Sequence, residues 1–457
     1  MDAQPTETLA NFAVETDSAR LPQSARERAR DLLLDSVACA LASDYGDETQ
    51  DYRAFAESAG GTGTSTVIGS GEPLSLLGAT LFNAYQITAA TVCDVYVSAH
   101  VHITPEVIPP ALGVAERDGR TGAELLGAIA IGSEVAVRVA DGIDYSVAGP
   151  RGWHMPGIVG PFGAAAAVGR LIGLSPLQMR NALGLAGSQS AGTWASWGTP
   201  SVKFHQSRGA ASGLMAGLLA ARDFTASAEV LTHPDGGILN SYSNGGKPRA
   251  LTDRLGDRYS FEEISLRLWP GGTPLQPALT AVFDLLARER PAFSDIAKLR
   301  IEIAPVVHEA HARFDQPKGT FEALLSFQFA AGSALRDGQF WFTSLATEKA
   351  QDPGLRAFMR ERVELVAHPD LTREASRIHL TLTDGRTLVA NADAAKGTTR
   401  NPASLDDLRR KFATCAAGRM TTADAEELVD LLVRVDQIED LGRMFALMRA
   451  ATARTDA

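Results

Sequence analysis

RGWHMPGIVGPFGAAAAVGRLIG (151–173) and VKFHQSRGAASGLMAGLLAARD (202–223) decide how the chain reads. Both are helical in pattern and rich in Gly and Ala, and in the second Gly209, Gly213 and Gly217 recur every fourth residue. A glycine inside a helix costs roughly 1 kcal/mol relative to alanine, so a repeated one is best explained by backbones that must approach closely. These two helices are expected to be central and buried.

Around them the pattern stays helical from Leu9 to about Asp257, with stretches such as ARERARDLLLDSVACALAS broken by Pro or Gly clusters. The character changes near Pro270. KLRIEIAP (298–305), RVELVAHPD (362–370) and RIHLTLTDGRTLVAN (377–391) alternate apolar and polar residues, and the last carries an Asp-Gly turn between two strand-like halves. After AKGTTRNPAS the amphipathic helices DDLRRKFATCA and ADAEELVDLLVRVDQ return. The expected fold is mainly α with a smaller α+β domain. Residues 1–265 form the first part of a helical domain, 270–400 the α+β domain, and 405–457 a helical C-terminal return.

The 457 residues are enough for two or three domains, and 45% hydrophobic with 21% charged residues describes an ordinary globular protein. Forty-three Lys and Arg against 54 Asp and Glu give a net charge of −11, the wrong sign for broad contact with nucleic acid or anionic lipid. An anionic substrate therefore requires a local positive pocket. Cys39, Cys93 and Cys415 lie far apart in sequence, which argues against a disulfide framework or a Cys-rich metal site and for a reducing, cytoplasmic setting. No signal peptide and no long apolar span is read, so neither export nor a membrane location is expected.

Three segments can carry chemistry. In SAHVHITPEVIPPALGVAE, Thr104 reads as an N-cap, Pro105 as the first helical residue and Glu106 as a dipole complement, which sets His102 just before a helix. His154 stands before a Pro-led helix in RGWHMPG, and Lys203, His205 and Arg208 lie at the start of the Gly-rich helix. Helix starts favour anions, so convergence of His102, His154 and Lys203 makes a carboxylate-binding, acid–base pocket. The commoner role of a lone histidine there is capping. His100 with His102, and His308 with His311, have metal-pair spacing, but no carboxylate cluster completes either, so no metal or cofactor is expected. GSGEP (69–73) and GGILNSYSNGG (236–246) lack a phosphate-loop context, and TWASWG lacks a nucleophile elbow.

These blocks, with LLLDSVACALA (32–42), VIPPALGVAE (107–116), GSEVAVR (132–138), TFEALLSFQFAAGSALRDG (320–338) and KGTTRNPASLDDLRRKF (396–412), resemble the MmgE/PrpD family. That family includes 2-methylcitrate dehydratases, cis-aconitate decarboxylases and iminodisuccinate epimerase. The resemblance implies a helical domain built from both chain ends, an α+β lid domain, a homodimer, and a metal-free site acting on a small anionic carboxylate. It assigns catalytic roles to His102, His154 and Lys203. The family's Asp-Phe-Asp-Asp run reads TVCD here and leaves Asp94, Gln276 stands at a lid histidine, and Phe329 stands where decarboxylases have Tyr. Asp94, Tyr145, Arg151, His205, Arg208 and Gln276 are the expected substrate contacts. The expected activity is a dehydratase-like lyase, with an epimerase, a decarboxylase or a non-catalytic binding protein as alternatives. Removing a proton next to a carboxylate creates a dianionic intermediate that nearby cations and N–H dipoles must neutralise. His154 or His102 serves as base and Lys203 as proton shuttle.

Overall fold

A computed structural model describes residues 4–46 and 48–450. Residues 1–3, at the head of the segment read as lacking a signal, and 451–457, at the end of the expected return, lie outside them. The chain divides into two units: the residues up to Ser265 together with those from Leu405 onward, and Leu266–Ser404.

The first unit is helical. The helices that position its chemistry are labelled α1 (Gln23–Leu41), α2 (Leu76–Ala89), α3 (Thr104–Asp118), α4 (Gly122–Gly142), α5 (Met155–Leu171) and α6 (Ser201–Ala220). Helix α4 starts on a capping box: the Glu124 N–H donates to Thr121 Oγ1 at 3.2 Å and the Thr121 N–H to Glu124 Oε2 at 2.8 Å. Apolar on every side, α5 can only be a core helix, and all its residues except Arg170 are buried.

The glycine repeat has the expected cause. A Cβ on Gly213 would overlap that of Ala164 and lie 2.6 Å from the Pro161 carbonyl oxygen, and one on Gly217 would lie 2.7 Å from Val168 Cγ1. The α5 face toward α4 is equally close, because a Cβ on Gly163 would sit 2.8 Å from the Gly132 carbonyl. Backbone atoms cannot yield as a flexible side chain can, so Gly213→Val is expected to cost about 1–3 kcal/mol, read by urea denaturation.

The charged residues of the GSEVAVR block are structural. Glu134 and Arg138 form a buried i, i+4 ion pair at 2.7 Å on α4. Their remaining atoms take the Phe261 N–H at 2.9 Å and the Arg258 carbonyl at 2.9 Å, tying down the segment before Ser265.

In the second unit α7 (Gln276–Arg288) and α8 (Phe327–Asp337) accompany a four-stranded sheet. Its strands are β1 (Ile296–Ile303), β2 (Val363–Ala367), β3 (Ser376–Leu382) and β4 (Thr387–Ala392), in the order β2-β1-β3-β4. β1 and β2 are parallel, so helices fill the long crossover between them; the other pairs are antiparallel. Ile301↔Ile378↔Ala390 and Leu299↔Leu380↔Leu388 run across the sheet, and β3 alternates buried and half-buried residues, the period-two signal visible in RIHLTL. Asp384 and Gly385 form the β3–β4 turn, with Gly385 at φ +88°.

The C-terminal return opens with α9 (Leu405–Ala416), which closes on α1 through a buried ion pair: Lys411 Nζ is 2.5 Å from Asp35 Oδ1. Burial, the largest single cause, pulls the Lys411 pKa down, but Asp35 together with Cys39 and Cys415 holds the ammonium above its ordinary value. No helix among the described residues is long and apolar enough to cross a membrane.

Candidate active site

The loop before α3 is knotted around Asp94. Its fully buried carboxylate accepts from the Ile103 N–H at 2.9 Å, the Thr104 N–H at 3.3 Å and Thr104 Oγ1 at 2.5 Å. The sequence reading of Thr104 as N-cap is thus corrected. Thr104 is the first helical residue, and the acceptor comes from nine or ten residues upstream, where local spacing gives no sign of it. The Asp94 carbonyl, 2.5 Å from His102 Nδ1, can only accept, so Nδ1 carries the hydrogen and Nε2 is the basic nitrogen. Lys411 Nζ also donates to the Val92 carbonyl at 2.9 Å, two residues before Asp94, so the C-terminal return anchors the loop that orients His102.

Cys93, Asp94 and His102 offer ligand-type atoms within 4.8 Å of one another. The donor set does not suit a metal ion, because both Asp94 oxygens hold the helix start and Nδ1, the ring nitrogen 3.8 Å from the Cys93 thiol, bears a hydrogen. Turnover is expected to be unchanged after EDTA and dialysis; a loss restored by a divalent cation would show that the knot opens to a metal.

His154 is the residue that precedes α5, followed by Met155 and Pro156, and its side chain makes no capping bond. It turns instead to His205 of α6, with Nδ1 atoms 3.0 Å apart. One hydrogen can lie between two ring nitrogens, so one imidazole donates and the other accepts. Burial first, then His205 and His102, push the His154 pKa down from 6.5 to about 3. The His205 pKa is lowered by burial and by Arg208. The imidazoles of His102 and His154 are thus near enough for charge on one to disfavour charge on the other.

Arg208 frames the pair. Its guanidinium donates to the carbonyls of Gly157 (2.9 Å), Ala191 (2.7 Å) and Gln189 (2.5 Å), drawing residues 189–191 onto the first turn of α5. The His154 N–H reaches the Gly192 carbonyl at 3.1 Å, and the Trp194 ring lies 5.7 Å from the His154 ring. Because His154 is neutral when folded but titrates near 6.5 when unfolded, its contribution to stability is present above pH 6.5 and lost as pH falls toward 3. The urea midpoint of His154→Gln is therefore expected to approach that of the parent protein on acidification.

The other expected contacts are placed as follows. Lys203, half-buried, lies in the first turn of α6, its N–H already given to the Pro200 carbonyl at 2.9 Å, two residues before His205. Tyr145 stacks on His100 at 4.7 Å, and exposed Arg151 donates to Asn244 Oδ1 at 2.8 Å. Gln276 belongs to the second unit, where its amide contacts the Trp269 backbone N–H at 3.4 Å and carbonyl at 3.0 Å. Phe329 is fully buried in α8, edge-on to Phe340. His311 is buried and donates from Nδ1 to the Leu325 carbonyl at 2.9 Å, a structural bond rather than half of a metal pair.

The residue that sequence reasoning undervalued is Glu106. Read as a dipole complement at a helix start, it is wholly buried, and neither carboxyl oxygen has a hydrogen-bond partner among the described residues.

The MmgE/PrpD N-terminal domain profile matches residues 7–251, and the C-terminal domain profile residues 269–437. The chain belongs to the MmgE/PrpD family. Among curated relatives, a cis-aconitate decarboxylase-like protein of Aspergillus oryzae is 28% identical over 277 residues, 58% of this chain and 58% of its own length. The cis-aconitate decarboxylase of Aspergillus terreus is 27% identical over 316 residues, 65% of this chain and 64% of that protein. The human cis-aconitate decarboxylase is 28% identical over 302 residues, 63% of this chain and 61% of that protein. Each alignment thus spans less than two thirds of the relative's length. Within the residues matched by the N-terminal domain profile lie His102, His154, Lys203, His205 and Arg208.

Proposed function

We propose that this MmgE/PrpD protein is a cofactor-independent acid–base lyase that works at a carbon next to a carboxylate of a small di- or tricarboxylate. The observation that carries the reading is the His154–His205 pair at the start of α5, held uncharged by burial with His102 close by. A neutral imidazole is in the form that accepts a proton, and a bound carboxylate raises its basicity by supplying the negative charge the resting pocket lacks. His102, oriented through Nδ1, keeps Nε2 as its proton-accepting nitrogen. Lys203, Arg208 and the helix starts supply the positive potential that stabilises the dianionic intermediate.

In dehydration, a base takes the proton from the carbon next to the carboxylate, the electron pair forms the double bond, and the leaving hydroxide departs as water after protonation. In decarboxylation, CO2 leaves and its bonding pair moves through the substrate's double bond onto a remaining carboxylate; a protonated imidazole or Lys203 then returns a proton to carbon. The names of the relatives favour decarboxylation. An epimerase takes the same proton and replaces it from the opposite face. On the family resemblance alone, a homodimer in the cytoplasm completes the reading.

Proton NMR of the full chain with malate, citrate, methylcitrate, cis-aconitate and an iminodisuccinate analogue tests it. A new vinyl signal with loss of CO2 marks a decarboxylase, and one with loss of water a dehydratase. Change of configuration without loss of mass marks an epimerase, and no turnover of any member contradicts the proposal.

A further inference from the structure

Glu106 occupies the third position of α3, from which a glutamate ordinarily reaches back to the N–H of the residue before the helix. Here that N–H, from Ile103, is already taken by Asp94, as is the Thr104 N–H. Displaced from capping, Glu106 runs inward between two helices that make room for it with glycine. A Cβ on Gly160 of α5 would overlap its Cγ, and one on Gly209 of α6 would lie 3.2 Å from it. The side chain is 0% exposed and both carboxyl oxygens are without a hydrogen-bond partner among the described residues. A leucine or methionine would fill such a cradle with no orphaned oxygen, whereas an unbonded polar group inside a protein costs on the order of 1–3 kcal/mol.

The charged and titratable groups that face it are Arg208 on α6 and Asp94 and Cys93 on the loop before α3; α5 presents Gly160. Burial, then Asp94 and Cys93, push the carboxyl well above the usual range, and the dipole of its own backbone N–H and then Arg208 oppose them. Arg208 spends its hydrogen bonds on uncharged groups, three carbonyls and the Ser212 hydroxyl, so an ionised Glu106 would be an internal countercharge to it.

We propose that Glu106 is an uncharged acid that positions the site's electrostatics, leaving Arg208's charge uncancelled so that the histidine pocket stays attractive to a carboxylate substrate. The second half of this rests on the carboxylate reading above; the first half does not. Glu106 is a positioning residue and touches no substrate.

Three readouts on the full chain test it. The infrared carbonyl stretch of a protonated carboxylic acid is expected in the parent and lost in E106Q. A folded-state acid that stays protonated contributes stability below its unfolded value, near 4.3, and loses it as pH rises, while Gln does not titrate. The Tm of E106Q is therefore expected to gain on that of the parent between about pH 4 and about pH 8. Because the acid stays uncharged, calorimetric affinity for citrate and malate is expected to keep a constant ratio between E106Q and parent over the same range, and a ratio that rises with pH would show that Glu106 ionises and cancels Arg208. An unchanged infrared band, or a Tm difference that does not move with pH, overturns the uncharged acid. A band lost in E106Q with no binding of either anion by the parent overturns the carboxylate reading instead. Should E106Q not fold, E106M, which fills the cradle without polar atoms, serves in all three measurements.

Discussion

His154→Gln is expected to lower turnover of the carboxylate substrate by about 10²-fold or more, the usual loss when a positioned acid–base group is removed. Glutamine can still occupy the space and hold a hydrogen bond to His205, but it cannot accept a proton and pass it on. The fall should therefore appear in kcat, with KM changed little, because the helix starts and Arg208 that attract the anion remain in place. His233→Gln, at an exposed turn where the ring nitrogen lies at hydrogen-bond distance from the Asp235 backbone, is the control expected to behave as the parent. Parent-like turnover by a folded His154→Gln would move the chemistry elsewhere.

Lys411→Met is expected to destabilise the protein by about 3–5 kcal/mol, because it strands the Asp35 carboxylate in a site that is 1% exposed. It also removes the donor to the Val92 carbonyl, loosening the loop that orients His102. The double replacement Asp35→Leu/Lys411→Met takes both charges out of the interior and should recover most of the loss, since apolar pairs of similar volume often replace buried ion pairs at little cost. Urea denaturation of the two single variants and the double variant measures the coupling. A double variant no more stable than Lys411→Met would show that the ion pair is not what holds the return.

The architecture was legible wherever one physical cause acted over a local window. The glycines of α6 announced a close helix contact, and the alternation in 377–391 announced a hairpin. Helix starts at His154 and near His102 followed from proline placement. What was hidden depended on contacts between distant segments. Thr104 has every local mark of a cap, yet Asp94 does the capping, and only the folded loop brings the two together. The wide spacing of Cys39, Cys93 and Cys415 pointed to scattered thiols. In the structure all three are buried, and Cys39 feels Cys415 and Cys93 beside the Lys411–Asp35 pair. His205 was read as a substrate contact because it neighbours Lys203, and its place as the partner of His154 depended on α5 meeting α6. Glu106 did leave a signal: one acid in the apolar run ITPEVIPPALGV, on a helix whose neighbours carry glycines.

On the proposed mechanism the histidine pair removes or returns a proton on carbon next to a carboxylate. Proton NMR in deuterated water, comparing parent and His154→Gln on the same turned-over substrate, reads this directly. In the direction that returns a proton to carbon, which is decarboxylation, epimerisation or, for a dehydratase, hydration of the alkene, deuterium should enter that carbon in the parent and be strongly reduced in the variant. Equal deuterium incorporation by both proteins, or turnover by the parent in that direction with none, would refute it.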